Sequence, residues 1–226
     1  MITLIIDDIE VKAEEGTNLL WAALDNGLYI PNLCAIREAA PPLTSCRLCF
    51  VEIEGINTPV TSCSEKVKDG MVVHLNTPKV QRIRNTAFEL LISHHHLDCA
   101  HCDKNRNCDL QNIAKKMGLK LKLERFHSIP RELPVDSTHP LFYYNPNKCI
   151  LCGKCIWACH QEGSGILDFA FRGIDTIVTT FAGLPLVDSG CTSCLACVSV
   201  CPVGSLVLKS DMKHRKHKTV ANIKKV

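Results

Sequence analysis

Fifteen cysteines fall into four groups along this 226-residue chain, with none left over. The first group is Cys34-x11-Cys46-x2-Cys49-x13-Cys63 and the second is Cys99-x2-Cys102-x5-Cys108. The third, Cys149-x2-Cys152-x2-Cys155-x3-Cys159, recurs with the same spacing as Cys191-x2-Cys194-x2-Cys197-x3-Cys201. An odd count does not close a disulfide framework, whereas thiolates at short, regular spacing are ligands for soft metals and iron–sulfur centres. The opening MITLIIDDIEV carries acid early and lacks the basic start of a secretory leader. A cytoplasmic chain with reduced thiols is therefore expected. The second group is one ligand short of four, and it closely follows the histidine run His94, His95, His96.

The repeated C-x2-C-x2-C-x3-C resembles the bacterial two-cluster ferredoxin run, in which the fourth cysteine serves the other cluster. That resemblance implies one [4Fe-4S] cluster on Cys149, Cys152, Cys155 and Cys201, and a second on Cys191, Cys194, Cys197 and Cys159. Zinc sites seldom use three ligands at such even spacing. Each fourth cysteine is expected to start a helix. Pro202 would then occupy the first helical turn after the last ligand, where a missing N–H costs little, and His160 takes that place after Cys159. Thirty-one residues separate Cys159 from Cys191. Within them GILDFAFRGIDTIVTTF predicts two strands on either side of Arg172 and Gly173, a hairpin whose expected role is packing.

Toward the N-terminus, two short apolar runs around Asp7 and Asp8 predict a hairpin. Thr17 is a candidate cap for a helix with Leu19, Leu20, Ala23 and Leu24 on one face and Gly27 closing it. Cys34, the loop TSCRLC, and the strands FVEIEG and TPVTSC follow. This order resembles the plant-type ferredoxin domain, a β-grasp sheet with one helix. Plant-type spacing places four residues between the first two cysteines. The eleven found here resemble the version in the respiratory complex I iron–sulfur subunit and in multi-cluster hydrogenases. The resemblance implies a [2Fe-2S] cluster on Cys34, Cys46, Cys49 and Cys63; zinc is the competing occupant, since separated cysteine pairs also suit it.

Between these regions, Thr77-Pro78 predicts a helix start, with Val80, Ile83, Ala87, Leu90 and Leu91 on one side. DLQNIAKKMG predicts a second helix, with Leu110, Ile113, Ala114 and Met117 inward and Gly118 at its end. The intervening HHLDCAHCDKNRNCDLQ resembles the His-x3-Cys-x2-Cys-x5-Cys motif of the complex I subunit and of NAD-linked hydrogenases. It implies a third [4Fe-4S] cluster on His95, Cys99, Cys102 and Cys108, with His94, His96 and His101 solvated or behind the ligand. By analogy with Rieske centres, an imidazole in place of a thiolate raises the potential.

The fold expected is α+β. It comprises a [2Fe-2S] β-grasp domain over 1–78 and a small helical [4Fe-4S] module with one histidine and three cysteine ligands over 79–139. A two-[4Fe-4S] ferredoxin-like domain over 140–210 and a basic tail over 211–226 follow. With all four motifs in order, the chain resembles the N-terminal electron-transfer region of multi-subunit [FeFe] hydrogenases and NAD-linked formate dehydrogenases. No cysteine follows Cys201, and no Gly-x-Gly-x-x-Gly or phosphate loop is present. The resemblance therefore implies a relay subunit of an NAD(P)-linked hydrogenase complex, partnered by a flavin- or NAD(P)-binding subunit and a separate catalytic subunit. Ferredoxin is a further candidate partner, and a formate dehydrogenase or NADH:ferredoxin oxidoreductase is the alternative complex. Glu124 and Asp136 are expected at the surface. No apolar run has the length of a membrane span. The formal charge of +3 becomes about −4 once four clusters are ligated by thiolates, which disfavours nucleic acid as a partner. The tail KSDMKHRKHKTVANIKKV is expected to be solvated or to dock on an acidic surface.

Overall fold

The computed structural model describes residues 1–212, so the expected tail lies, from residue 213 onward, outside the described residues. Strands β1 (Ile2–Ile6) and β2 (Ile9–Ala13) pair antiparallel through a two-residue turn. Asp7 and Asp8 both have positive φ there (45° and 65°), the conformation that matches the twist of a tight hairpin and that aspartate tolerates. Leu4, Ile6, Val11 and Ala13 point to the buried face, as period-two alternation requires. Helix α1 (Leu19–Asp25) follows, capped by Asn18 rather than by Thr17. Asn18 is extended and its Oδ1 accepts from Leu20 N–H at 3.0 Å, while Gly27 turns the chain at φ +78°.

Strands β3 (Phe50–Ile53), β4 (Val60–Thr61) and β5 (Val72–His74) complete a five-stranded sheet in the order β2-β1-β5-β3-β4. The β1–β5 pair is parallel and the rest antiparallel, so the chain between them crosses over and packs α1 on the sheet's apolar face. Helix α2 (Pro78–Ser93) starts as expected, with Thr77 Oγ1 accepting from Val80 N–H at 3.2 Å. Its inward face is Val80, Arg84, Ala87, Phe88 and Ile92; Leu90, expected inward, is half exposed. Phe88 and Ile92 fill the i, i+4 positions that the helix directs at its neighbours, displacing Leu90 to the outer side.

Helix α3 (Asp109–Met117) buries Leu110, Ile113 and Ala114 and ends on Gly118 in the left-handed region at φ +66°. Strand β6 (Phe142–Tyr144), helix α4 (Lys154–Glu162) and the hairpin β7 (Asp168–Ala170) with β8 (Ile177–Thr179) come next. The hairpin packs as expected: Tyr144 Oη donates to Val178 O at 2.8 Å. Asp136 is not a free surface carboxylate. It accepts from Leu186 N–H at 2.8 Å and from both N–H and hydroxyl of Thr138, tying two loops together. The short helix α5 (Ala196–Ser199) leads to β9 (Leu206–Leu208), which pairs antiparallel with β6.

One core fills the N-terminal sheet. A second runs without interruption from Leu33 and Cys34 through α2 and α3 to α4, α5 and β9. Hydrogen bonds stitch the segments across this core: His96 N–H to Asn147 O (2.8 Å), Asp109 N–H to Pro202 O (2.9 Å), and Ser45 Oγ to Cys152 O (2.9 Å). Among the described residues no helix is long and apolar enough to cross a membrane.

Candidate iron–sulfur sites

The two C-terminal loops share a backbone design. Leu151 and Ser193, each two residues after the first cysteine, adopt positive φ (54° and 59°). So do Gly153 and Leu195, each four residues after it (79° and 64°). Alternating hand in successive residues turns their N–H groups to one side, forming a concavity that favours negative charge. Accordingly, Leu151 N–H points at Cys149 Sγ and Ser193 N–H at Cys191 Sγ, both at 3.4 Å. Glycine supplies this conformation freely at 153, whereas Leu195 adopts it against its own Cβ.

Helix α4 begins after Gly153 and carries both Cys155 and Cys159, one turn apart on one face. The thiol of Cys155 resists ionisation first through burial and then through the charges of Cys149, Cys152 and Cys201. That of Cys197 is pushed up to about 12, again by burial and then by Cys159, Cys191 and Cys194. Thus Cys201 bears on the first run's Cys155 and Cys159 on the second run's Cys197, although Cys197 also bears on Cys155. Gly163 leaves room for this approach: a Cβ there would stand 3.2 Å from Cys194 Sγ and 3.0 Å from Cys159 O. Neither fourth cysteine starts a helix. Cys159 lies within α4, which runs on to Glu162 and requires an ordinary N–H at residue 160, where histidine is found. Cys201 follows α5, and the buried Pro202 enters a turn before β9, not a helical first turn.

The central site forms where α2 ends and α3 begins. His95 is 7% exposed, and its Nδ1 lies 2.9 Å from Lys148 O. A carbonyl only accepts, so Nδ1 bears the proton and Nε2 presents a lone pair. This is the orientation in which histidines ligate metals. Burial holds its pKa at about 4, so the ring is neutral at physiological pH. Cys102 and Cys108 are buried and Cys99 is half-buried; burial first, then the charges of Cys102 and Cys99, opposes ionisation of Cys108. Cys102 Sγ lies so close to Gly204 that a Cβ on residue 204 would meet it at 2.5 Å. The other histidines differ. His96 is exposed, and the exposed His101 ring pairs with Asp98 at 2.8 Å. His94 is half-buried, and its Nδ1 is buried without a hydrogen-bond partner.

At the N-terminal site Cys34, Cys46, Cys49 and Cys63 are all buried at the edge of the sheet, with the Cys34 and Cys46 sulfurs 3.3 Å apart. Leu33 N–H and Cys46 N–H are directed at Cys46 Sγ and Cys34 Sγ, each at 3.4 Å. The thiols of Cys46 and Cys63 are driven up, first by hydrogen bonds to Cys34 and Cys49 and then by burial. Their partners Cys34 and Cys49 are drawn down instead, to about 6 and about 7, first by the same sulfur–sulfur hydrogen bonds. Each pair therefore favours one thiolate, and the N–H groups aimed at sulfur suit a metal-bound thiolate. The donor sets therefore fit iron–sulfur clusters. Among the described residues no three His, Cys, Asp or Glu side chains close on a single ion; the ligands of a cluster stand further apart than those of one ion.

These features define an iron–sulfur electron-transfer protein, and the comparisons with known proteins extend that class. Residues 1–78 match the model of a 2Fe-2S iron–sulfur cluster binding domain. Residues 84–121 match the NADH-ubiquinone oxidoreductase-G iron–sulfur binding region, and 148–205 a 4Fe-4S dicluster domain. The chain is 37% identical over 210 residues to the NADPH-Fe(3+) oxidoreductase subunit alpha of Geobacter sulfurreducens, covering 92% of this chain and 24% of that one. It is 34% identical over 221 residues to the NADP-reducing hydrogenase subunit HndD of Solidesulfovibrio fructosivorans, covering 92% and 36% respectively. It thus spans only about a quarter to a third of these curated relatives. A chain in the crystal structure of an NAD+-reducing [NiFe]-hydrogenase in the H2-reduced state superposes with a TM-score of 0.82 at 30% identity, covering 92% of this chain and 88% of that one. The protein belongs to the family of multi-cluster iron–sulfur subunits found in NAD(P)-linked hydrogenases and NADH–quinone oxidoreductases.

Proposed function

We propose that this chain is the electron-relay subunit of a cytoplasmic NAD(P)-linked hydrogenase complex, passing single electrons between a flavin/NAD(P) subunit and a separate catalytic subunit. It holds one [2Fe-2S] cluster on Cys34, Cys46, Cys49 and Cys63, within a β-grasp domain over 1–78. One [4Fe-4S] cluster is held by His95, Cys99, Cys102 and Cys108 over 79–139. Two more are held over 140–210 by a bacterial ferredoxin-like fold, one on Cys149, Cys152, Cys155 and Cys201, the other on Cys191, Cys194, Cys197 and Cys159. The observation that carries this reading is continuity. All four ligand groups line or adjoin one stitched core, with Ser45 bonded to the Cys152 carbonyl, Cys102 against Gly204, and Cys155 and Cys159 on one helix. When bound, the clusters supply one-electron storage at potentials set by ligation, hydrogen bonding and burial. The protein's part is to hold the thiolates, aim N–H groups at sulfur, keep His95 neutral and in one tautomer, and exclude water.

The test is an anaerobic spectral titration of the isolated, flavin-free chain carrying about 14 iron. Dithionite should bleach it, because reduction needs only a strong enough donor. NADH and NADPH should not, since a hydride must first be divided into single electrons by a flavin. Adding the complex's flavoprotein subunit should restore NAD(P)H-dependent bleaching. Rapid stoichiometric bleaching by NADH alone would defeat the relay reading.

The sites also differ in exposure: Cys194 is exposed and Cys191 half-buried, whereas Cys149, Cys152 and Cys155 are buried. On controlled air exposure the cluster on Cys191, Cys194 and Cys197 should be lost first. In timed iodoacetamide labelling read by mass spectrometry, Cys194 should be the earliest modified thiol. Earlier labelling of Cys152 or Cys155 would contradict this order.

A further inference from the structure

Arg84 is the most buried arginine among the described residues, with 5% of its surface exposed, and it lies in the middle of α2. Its Nε and Nη2 both donate to the carbonyl oxygen of Phe50, at 3.0 and 2.5 Å. Phe50 directly follows Cys49. A guanidinium withdrawn from water needs a compensating negative charge, because a neutral carbonyl balances only part of the lost hydration. Among the described residues no carboxylate forms an ion pair with Arg84. Asp7 acts on it only through space, its own oxygens being engaged by Leu75 N–H and Asn76 Nδ2. Burial lowers the pKa of Arg84 to about 10, which leaves it cationic at neutral pH, and Cys49 is the foremost group favouring its charge.

We propose that Arg84 is the built-in counter-charge of the centre ligated by Cys34, Cys46, Cys49 and Cys63, positioned through the Phe50 carbonyl to favour the reduced state. This rests on the assignment of Cys49 as a [2Fe-2S] ligand. Reduction adds one electron to the centre, while at Arg84 no bond forms or breaks and no proton moves. A fixed buried cation stabilises the more negative state and is little screened by salt. At a separation of about 10 Å and an effective dielectric constant of about 20, one unit charge changes the reduced-to-oxidised ratio by about tenfold.

The experiment is an EPR-monitored redox titration of the [2Fe-2S] signal in the full chain, comparing wild type with Arg84→Gln and Arg84→Lys. Arg84→Gln should lower the reduced-to-oxidised ratio about tenfold at fixed poise, a midpoint about 59 mV more negative. The difference should persist at high salt, and the [4Fe-4S] signals should stay within about twofold of wild type. Arg84→Lys, which keeps the charge and loses the paired donors, should remain within about twofold. An unmoved midpoint in Arg84→Gln overturns the proposal. So does a shift in Arg84→Lys as large as that in Arg84→Gln, because the bonds to Phe50 rather than the charge would then matter. If Arg84→Gln does not assemble, Arg84→Met carries the same expectation. If neither neutral variant assembles, Arg84→Lys decides alone: a midpoint within twofold supports the proposal and a tenfold shift overturns it. Cys49→Ser separates the two readings. If the [2Fe-2S] signal survives that change unaltered, the ligand assignment fails; if it is altered while Arg84→Gln shifts nothing, only the role of Arg84 fails.

Discussion

Replacing His95 with alanine is expected to abolish one [4Fe-4S] EPR signal and remove about four iron per chain. No other side chain described near the site offers the same combination of burial and tautomer. Lys148 O fixes the proton on Nδ1, and burial keeps the ring neutral, so Nε2 presents the lone pair that the proposed ligation requires. Alanine at His96 or His101 should leave the signal, since the first ring is exposed and the second is engaged by Asp98 at the surface. Alanine at His94 should leave it too, because removing a partly buried ring whose Nδ1 lacks a partner breaks no hydrogen bond at that nitrogen. Cysteine at position 95 should restore a cluster at lower potential, an anionic thiolate having replaced a neutral imidazole. An intact signal at unchanged potential in His95→Ala would require another ligand.

The second large effect concerns which cluster a helix serves. Cys159→Ser should damage the cluster of Cys191, Cys194 and Cys197 and spare that of Cys149, Cys152 and Cys155, although Cys159 is contiguous in sequence with the latter. Cys194 Sγ lies over the Cys159–Gly163 backbone, and the charge of Cys159 bears on Cys197. Cys201→Ser should do the reverse, since Cys201 is among the groups opposing ionisation of Cys149, Cys152 and Cys155. Mössbauer spectra of iron-57 material, with iron counts, distinguish the outcomes. Loss of the same cluster in both variants would rule out crossed ligation.

Local features were legible in the sequence because their causes are local. The Asp7–Asp8 turn, the Thr77–Pro78 start of α2, the Gly118 stop of α3 and the β7–β8 hairpin each rest on a few adjacent residues. Strands β5, β6 and β9 were not legible: each has three residues and exists because of a partner distant in sequence. Asn18 and Thr17 are both capable caps, and which one acts depends on the angle at which the chain enters α1. Asn18 is fixed there by its own Nδ2, which donates to the Cys63 carbonyl. Arg84 looks like an ordinary polar residue of an amphipathic helix; only the fold reveals that it faces β3 and the first cysteine group. The ligand spacings were readable, but the carbonyl that sets the tautomer of His95 comes from residue 148, which no local pattern links to residue 95.

The contact between Cys102 and Gly204 bears on how traffic through the chain is controlled. Electron tunnelling falls off exponentially with distance, so any hinge between donor and acceptor would act as a valve. Here a sulfur of one site rests on the bare backbone of the next segment, and the Asp109–Pro202 bond pins the same junction. Widening that gap would break the Asp109–Pro202 bond and separate residues of the shared core. In the relay proposed above, a junction packed in this way would act as a cable of fixed length, and throttling would fall to the partners at its ends and to the energy levels of the first and last stations.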